Sequence, residues 1–152
     1  MGSGSVFKCP KCQFKFETHD GIGMMFPTFY HNTVVDAKKG KLGNELKTFF
    51  AEHPEGAINA ENRTYCCEKC GFLSNETDLT MYLPDESKRG NPSEGYDYVM
   101  EADLEDFYIE YAKYPHKCRK CGGKMRLVDY GDDILCPKCH VPLEGEGLFL
   151  WD

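Results

Sequence analysis

The sequence predicts an α+β protein: two small β units built around cysteine knuckles, the first carrying a helical insertion, joined by a loop and a short helix. Three observations predict it. Eight of the nine cysteines fall into four Cys-x-x-Cys pairs: Cys9/Cys12, Cys67/Cys70, Cys118/Cys121 and Cys136/Cys139. Short runs that alternate apolar and polar residues flank these pairs, as half-buried strands do. The 54 residues between Cys12 and Cys67 instead carry apolar residues at helical spacing.

Taken in order, Met1-Gly2-Ser3-Gly4-Ser5 reads as a cloning scar and is set outside the fold. Residues 6–83 form the first expected unit. Phe14-Lys15-Phe16-Glu17-Thr18 alternates like a strand. Pro27 suits a helix start, because its missing N–H is unneeded in the first turn. Phe29, Tyr30, Val34 and Val35, then Leu42, Leu46, Phe49 and Phe50, predict two short helices that break near Gly40–Gly43 and end at Pro54. Thr64-Tyr65-Cys66 returns as a strand, and Leu79, Met81 and Leu83 alternate along another.

Residues 84–115 are expected to be an acidic linker and helix. The stretch 84–97 lacks a periodic apolar pattern. A helix is expected from Asp103, as its cap, to Tyr114, with Pro115 ending it. Residues 116–152 form the second expected unit. Met125-Arg126-Leu127-Val128 and Ile134-Leu135 make a hairpin around the Asp129–Asp133 turn, and Gly147–Trp151 adds a third strand.

Each cysteine pair has the shape that metal binding requires. A tight turn points two thiolates at one ion while its backbone N–H groups soften their charge. Pro10 and Pro137 preset two of the turns, and Gly71 and Gly122 let the chain leave two others. Lys11, Lys69, Lys120 and Lys138 each precede the second cysteine, where a cation either offsets the charge of four thiolates or is simply solvated. With this spacing and no export signal, metal binding in a reducing cytoplasm is favoured over disulfides. The expected ligands are Cys9, Cys12, Cys67 and Cys70 for one ion, and Cys118, Cys121, Cys136 and Cys139 for a second. The competing arrangement ties Cys9/Cys12 to Cys136/Cys139.

Residues 116–152, with knuckle, hairpin, knuckle and strand, resemble a zinc ribbon. Residues 6–83, through Lys8-Cys9-Pro10-Lys11-Cys12, Lys39-Gly40-Lys41-Leu42 and Cys67-Glu68-Lys69-Cys70-Gly71, resemble the bacterial CpXC family of zinc-binding domains. Position 68 is Glu where that family often carries Pro. These resemblances imply two Zn²⁺ ions. The same spacing is also similar to rubredoxin, an iron electron carrier, and tetrahedral S₄ geometry serves both metals.

Other candidates are weaker. A thioredoxin-like dithiol needs its pair at a helix start, whereas these knuckles run into strands or glycines. Cys66 either replaces Cys67 as a ligand or is a small residue at a strand end. His116 and His140 lie near knuckles that already have four cysteines. His31 with Asp36 and Glu45 lacks a nucleophile. Glu101, Asp103, Glu105, Asp106 and Glu110 imitate a nuclease cluster, but acids in a first helical turn favourably meet the helix dipole.

Charge narrows the function class. The net charge is −7. Residues 1–75 carry nine Lys/Arg against eight Asp/Glu, residues 76–115 three against eleven, and residues 116–152 six against six. An acidic chain repels phosphate and suits a basic protein partner. The mean hydropathy of −0.55 and the absence of an apolar run near the roughly 20 residues of a membrane span argue against a membrane protein. The expected function is therefore a zinc-binding, non-enzymatic adaptor with an unknown protein partner. Its candidate contacts are the loop Gly21-Ile22-Gly23-Met24-Met25-Phe26 and the acidic helix. The alternative is a nucleic-acid-associated ribbon, kept open by Lys117, Arg119, Lys120, Lys124 and Arg126.

Overall fold

The computed structural model describes residues 1–88 and 98–152. The elements in chain order are β1 (Gly2–Lys8), β2 (Lys15–Glu17), α1 (Phe26–Lys39), α2 (Asn44–Glu52), β3 (Ala57–Ile58), β4 (Asn62–Cys67), β5 (Leu73–Thr77), β6 (Met81–Pro84), α3 (Glu101–Phe107), β7 (Tyr108–Ala112), β8 (Met125–Leu127) and β9 (Glu144–Trp151). Among the described residues, three helices and three small antiparallel sheets make the α+β fold that the patterning predicts. Among the described residues no helix is long and apolar enough to cross a membrane. Part of the expected 84–97 linker, residues 89–97, lies outside the described residues.

The chain divides into two compact units that do not follow its order. Unit 1 comprises Met1–Met24, Asn62–Glu76 and Pro115–Asp152, and unit 2 comprises Met25–Glu61 and Thr77–Tyr114. The expected division at residues 83 and 115 therefore differs from the observed one, because strands far apart in sequence pair with each other.

Unit 1 holds two sheets, ordered β2-β1-β9 and β5-β4-β8. The segment read as a cloning scar lies inside the first. Gly2↔Trp151, Ser3↔Leu150, Gly4↔Phe149 and Ser5↔Leu148 are antiparallel partners. The glycines are needed there, since a side chain on Gly2 would collide with the Trp151 ring, and one on Gly4 with the Phe149 ring and the Thr18 carbonyl. The expected local hairpin of residues 116–152 is also absent: β8 pairs with β4 through Tyr65↔Leu127, Cys66↔Arg126 and Cys67↔Met125, and β9 pairs with β1. A three-residue β8 has little to gain from a local partner. β4 offers it Tyr65 and Cys67, which join Met125 and Cys118 in one buried cluster.

Unit 2 contains the helices where the spacing placed them. Pro27 stands in the first turn of α1, and Gly40 ends it at φ 83°, its N–H donating to Ala37 O while Lys41 N–H donates to Asp36 O. That left-handed closure is open to glycine without steric cost. Gly43, at φ 104°, starts α2. Phe26, Tyr30, Ala37, Leu46, Phe49 and Phe50 are buried along the inner stripes of the two helices, as are Ile58 and Leu104. Leu46 is fully enclosed, a burial that contributes about 1.5–3 kcal/mol.

The helix expected from Asp103 to Tyr114 is shorter. It spans Glu101–Phe107, and Asp103 is its third residue, accepting a hydrogen bond from Met100 N–H at 3.1 Å. Tyr108–Ala112 continues instead as β7, paired with β6 through Leu83↔Ile109 and Pro84↔Tyr108. The aromatic and β-branched residues Tyr108, Ile109 and Tyr111 suit a strand, and the edge of β6 gives them a partner.

Candidate metal centres

All four knuckles are built alike from local backbone bonds. The N–H of each first cysteine donates to the carbonyl five residues on: Cys9 to Phe14 (2.9 Å), Cys67 to Phe72 (2.8 Å), Cys118 to Gly123 (2.8 Å) and Cys136 to Val141 (2.8 Å). In three of them a second bond closes the turn, from Gly71 N–H to Cys67 O, Gly122 N–H to Cys118 O and His140 N–H to Cys136 O. The donor residue in each case has positive φ: 76° at Gly71, 73° at Gly122 and 57° at His140. His140 therefore holds a backbone conformation that the other two knuckles give to glycine.

The turns aim N–H groups at sulfur. Lys11 N–H points at Cys9 Sγ, Phe14 N–H at Cys12 Sγ, and Cys139 N–H at Cys136 Sγ, each at 3.4 Å. Lys69 and Cys70 N–H both point at Cys67 Sγ at 3.4 Å, Lys120 N–H at Cys118 Sγ at 3.3 Å, and Gly123 N–H at Cys121 Sγ at 3.4 Å. These bonds stabilise thiolate over thiol. The lysines of three knuckles thus contribute their backbone N–H.

Which knuckles meet is set by strand pairing, and it corrects the expected arrangement. Cys9, Cys12, Cys136 and Cys139 form one group, and Cys67, Cys70, Cys118 and Cys121 the other, the four sulfurs of each lying within 4.8 Å of one another. Across the paired knuckles the sulfurs of Cys12 and Cys136 lie 3.7 Å apart, those of Cys67 and Cys121 3.5 Å, and those of Cys70 and Cys118 3.7 Å. In an antiparallel pair the end of one strand faces the start of the other. β1 ends at Lys8 opposite Glu144, so the knuckle after β1 meets the one before β9. β4 ends at Cys67 opposite Met125, so the knuckle after β4 meets the one before β8. The second group is nested inside the first along the chain. The CpXC resemblance, which joins Cys9/Cys12 and Cys67/Cys70 within residues 6–83, does not describe this arrangement.

Four thiols so close ionise unequally. Burial pushes the Cys9 thiol up, but the N–H groups of Lys11 and Cys12 and the neighbouring thiols outweigh it and bring it down to about 7. Cys67 is brought down to about 6, chiefly by Cys70 N–H. The last protons are held tightly. Cys139 is pushed up to about 12, mainly by Cys12. Cys121 is pushed up to about 11, where Cys67, burial, Cys70 and Cys118 together outweigh the favourable Gly123 N–H. A dication removes this repulsion and lets all four sulfurs ionise. The donor set, tetrahedral in number and all sulfur, fits Zn²⁺ or iron.

Cys66 is outside both groups. It packs beside Cys9, Leu73 and Cys136, while Cys67, on the opposite face of β4, joins the other centre. Burial raises its pKa. The His116 ring packs against Tyr65, tilted by 41° with ring centroids 4.3 Å apart. Among the described residues the acidic stretch of α3 and the His31, Asp36 and Glu45 set form no group of three metal-ligating side chains. Asp36 instead pairs with Lys41 at 3.0 Å. Phe14, Phe72, Gly123 and Val141, whose carbonyls accept the bonds from each first cysteine N–H, are parts of the centres that the sequence reading misses, although their constant position five residues after a first cysteine is visible in the sequence.

No family model, curated protein or solved structure matches the chain. Its likeness to zinc ribbons therefore rests on the two clusters of Cys-x-x-Cys pairs.

Proposed function

We propose that the protein is a structural zinc protein of a reducing compartment, holding two closed Zn²⁺ centres, without catalytic activity, and working by binding another protein. The observation that carries the reading is the pair of four-sulfur clusters, each within 4.8 Å. Four protein sulfurs close a zinc ion, whereas a catalytic zinc keeps one position for water. The Cys-x-x-Cys spacing suits metal ligands in a reducing compartment rather than structural disulfides. The net charge of −7 favours a protein partner over a phosphate-bearing one, and within the local basic cluster Arg119 lies 3.8 Å from Glu76 and Arg126 3.6 Å from Asp132. The test is elemental analysis and absorption of protein purified without added metal. Two zinc ions per chain and a colourless solution are expected. Visible thiolate-to-iron absorption, fewer than two metals per folded chain, or metal-dependent hydrolysis of peptide or nucleic acid abolished by Asp103→Ala would overturn it. For the protein-binding part, charge reversal at Glu105 and Asp106 is expected to weaken partner capture from the host with metal content unchanged.

A further inference from the structure

We propose that the outer edge of β9 is a docking edge for an extended, basic-ended segment of another protein, which adds to the sheet as a fourth strand. This rests on the protein-binding reading and adds to the acidic helix a second, separate surface with its own partner class. The backbone register identifies the edge. Ser3 exchanges hydrogen bonds with Asp20 (N–H to Asp20 O at 2.9 Å, and Asp20 N–H to Ser3 O at 2.8 Å), and Ser5 O accepts from Thr18 N–H at 2.9 Å. The backbone groups of both serines therefore point away from β9. Their antiparallel partners are Leu150 and Leu148. In an antiparallel pair both residues face each other or both face away, so the N–H and C=O of Leu148 and Leu150 point outward from the sheet. In the order β2-β1-β9 no described strand lies beyond β9 to receive them.

The side chains of the same two residues are the most exposed leucines in the described chain, at 87% for Leu148 and 71% for Leu150. Phe149 and Trp151 take the other face, against His19 and the first two glycines of β1. The two leucines thus present unpaired backbone and apolar side chains together, the combination that β-strand addition uses. An edge of this kind is ordinarily shielded by a central charge, a proline or a covering loop. Here charge lies only at the ends: Glu144 and Glu146 before the leucines, Glu146 being 3.7 Å from Lys8 Nζ and half-exposed, and Asp152 after them, so that Glu144 and Asp152 carry the unneutralised charge of the edge. This distribution selects the occupant. A second copy pairing antiparallel about Phe149 would set Leu148 against Leu150 but also Glu146 against Asp152 of the other chain, a like-charge clash at both ends. A strand with an apolar centre and lysine or arginine at its ends meets opposite charge instead.

The test uses the full chain loaded with zinc and a synthetic peptide of alternating valine and threonine with lysine at both ends. Trp151, the chain's one tryptophan, reports binding by fluorescence. Saturable binding is expected, weakened at least tenfold when the terminal lysines are replaced by glutamate. Leu148→Pro removes an outward N–H and leaves the bonds to β1 in place, so it is expected to abolish binding with metal content unchanged. Should that variant misfold, Leu148→Lys with Leu150→Lys tests the same edge and is expected to repel the basic peptide. Equal affinity for both peptides, no binding of either, or binding that survives these variants would overturn the proposal. So would a dimer in sedimentation that the same variants dissociate, since a second copy would then own the edge. A chain that holds two zinc ions yet binds neither peptide loses the edge and keeps the structural-zinc reading; metal analysis separates the two failures.

Discussion

Cys12 and Cys136 bring their sulfurs to 3.7 Å although 124 residues separate them in the chain. Between them the chain also closes the second centre, where Cys70 and Cys118 lie 3.7 Å apart. The nesting makes a prediction about stoichiometry. Cys12→Ser and Cys136→Ser are each expected to remove the same ion, so that the double variant still holds one. Combining Cys12→Ser with Cys70→Ser is expected to remove both. Native mass spectrometry counts the ions directly. Retention of one ion in the second combination would restore the pairing of neighbours along the chain.

Metal loading is expected to release protons. With Cys121 held up to about 11 and Cys139 up to about 12, the metal-free centres keep at least one proton each at neutral pH. The ion binds thiolate, so affinity rises with pH while these thiols must be deprotonated and falls as pH drops. One proton displaced per ion corresponds to about tenfold in affinity per pH unit. Competition against a chelator at pH 6, 7 and 8 measures the slope. A flat profile would mean that the thiols are already ionised.

All eight clustered cysteines belong to unit 1, and unit 2 has none. Structural zinc contributes about 10–16 kcal/mol of apparent binding free energy in small domains, more than a typical domain's stability. Chelation is therefore expected to unfold the surroundings of Trp151 in β9 while the helical circular dichroism of α1 and α2 persists. A tryptophan signal that survives complete metal removal would show that the ions do not support unit 1.

The first residues of β1 are expected to matter for stability. Gly4→Ala sets a methyl group against the Phe149 ring and the Thr18 carbonyl, an overpacking of about 1–3 kcal/mol. Gly147→Ala, on the facing strand with open space around it, is expected to cost far less. Urea denaturation of the two variants makes the comparison. Equal stability would return residues 1–5 to the status of an unstructured appendage.

His140 is expected to tolerate replacement by glycine. At φ 57° it sits where Gly71 and Gly122 stand in sister knuckles. A left-handed residue with a side chain carries roughly 1–2 kcal/mol of strain, partly offset by the greater chain entropy of glycine. His140→Gly is expected to raise stability by up to about 1 kcal/mol and leave two ions bound. Loss of an ion would instead give the imidazole a part in the centre.

By itself the sequence determined what is local. A knuckle is complete within six residues, from the first cysteine N–H to the carbonyl five residues on, so all four were legible from Cys-x-x-Cys and the turn residues around it. Helices α1 and α2 were legible for the same reason: their periodicity, Pro27, Gly40 and Gly43 all act within a turn or two. The tertiary structure alone decided which knuckles share an ion, because four nearly identical turns offer no preference among themselves. The choice lies in β1 with β9 and β4 with β8, pairings between short strands whose partners are remote and whose side-chain patterns do not name one another. The same non-local pairing drew Tyr108–Ala112 out of the expected helix and into β7. It also turned Gly2 and Gly4 from apparent filler into the seats of Trp151 and Phe149.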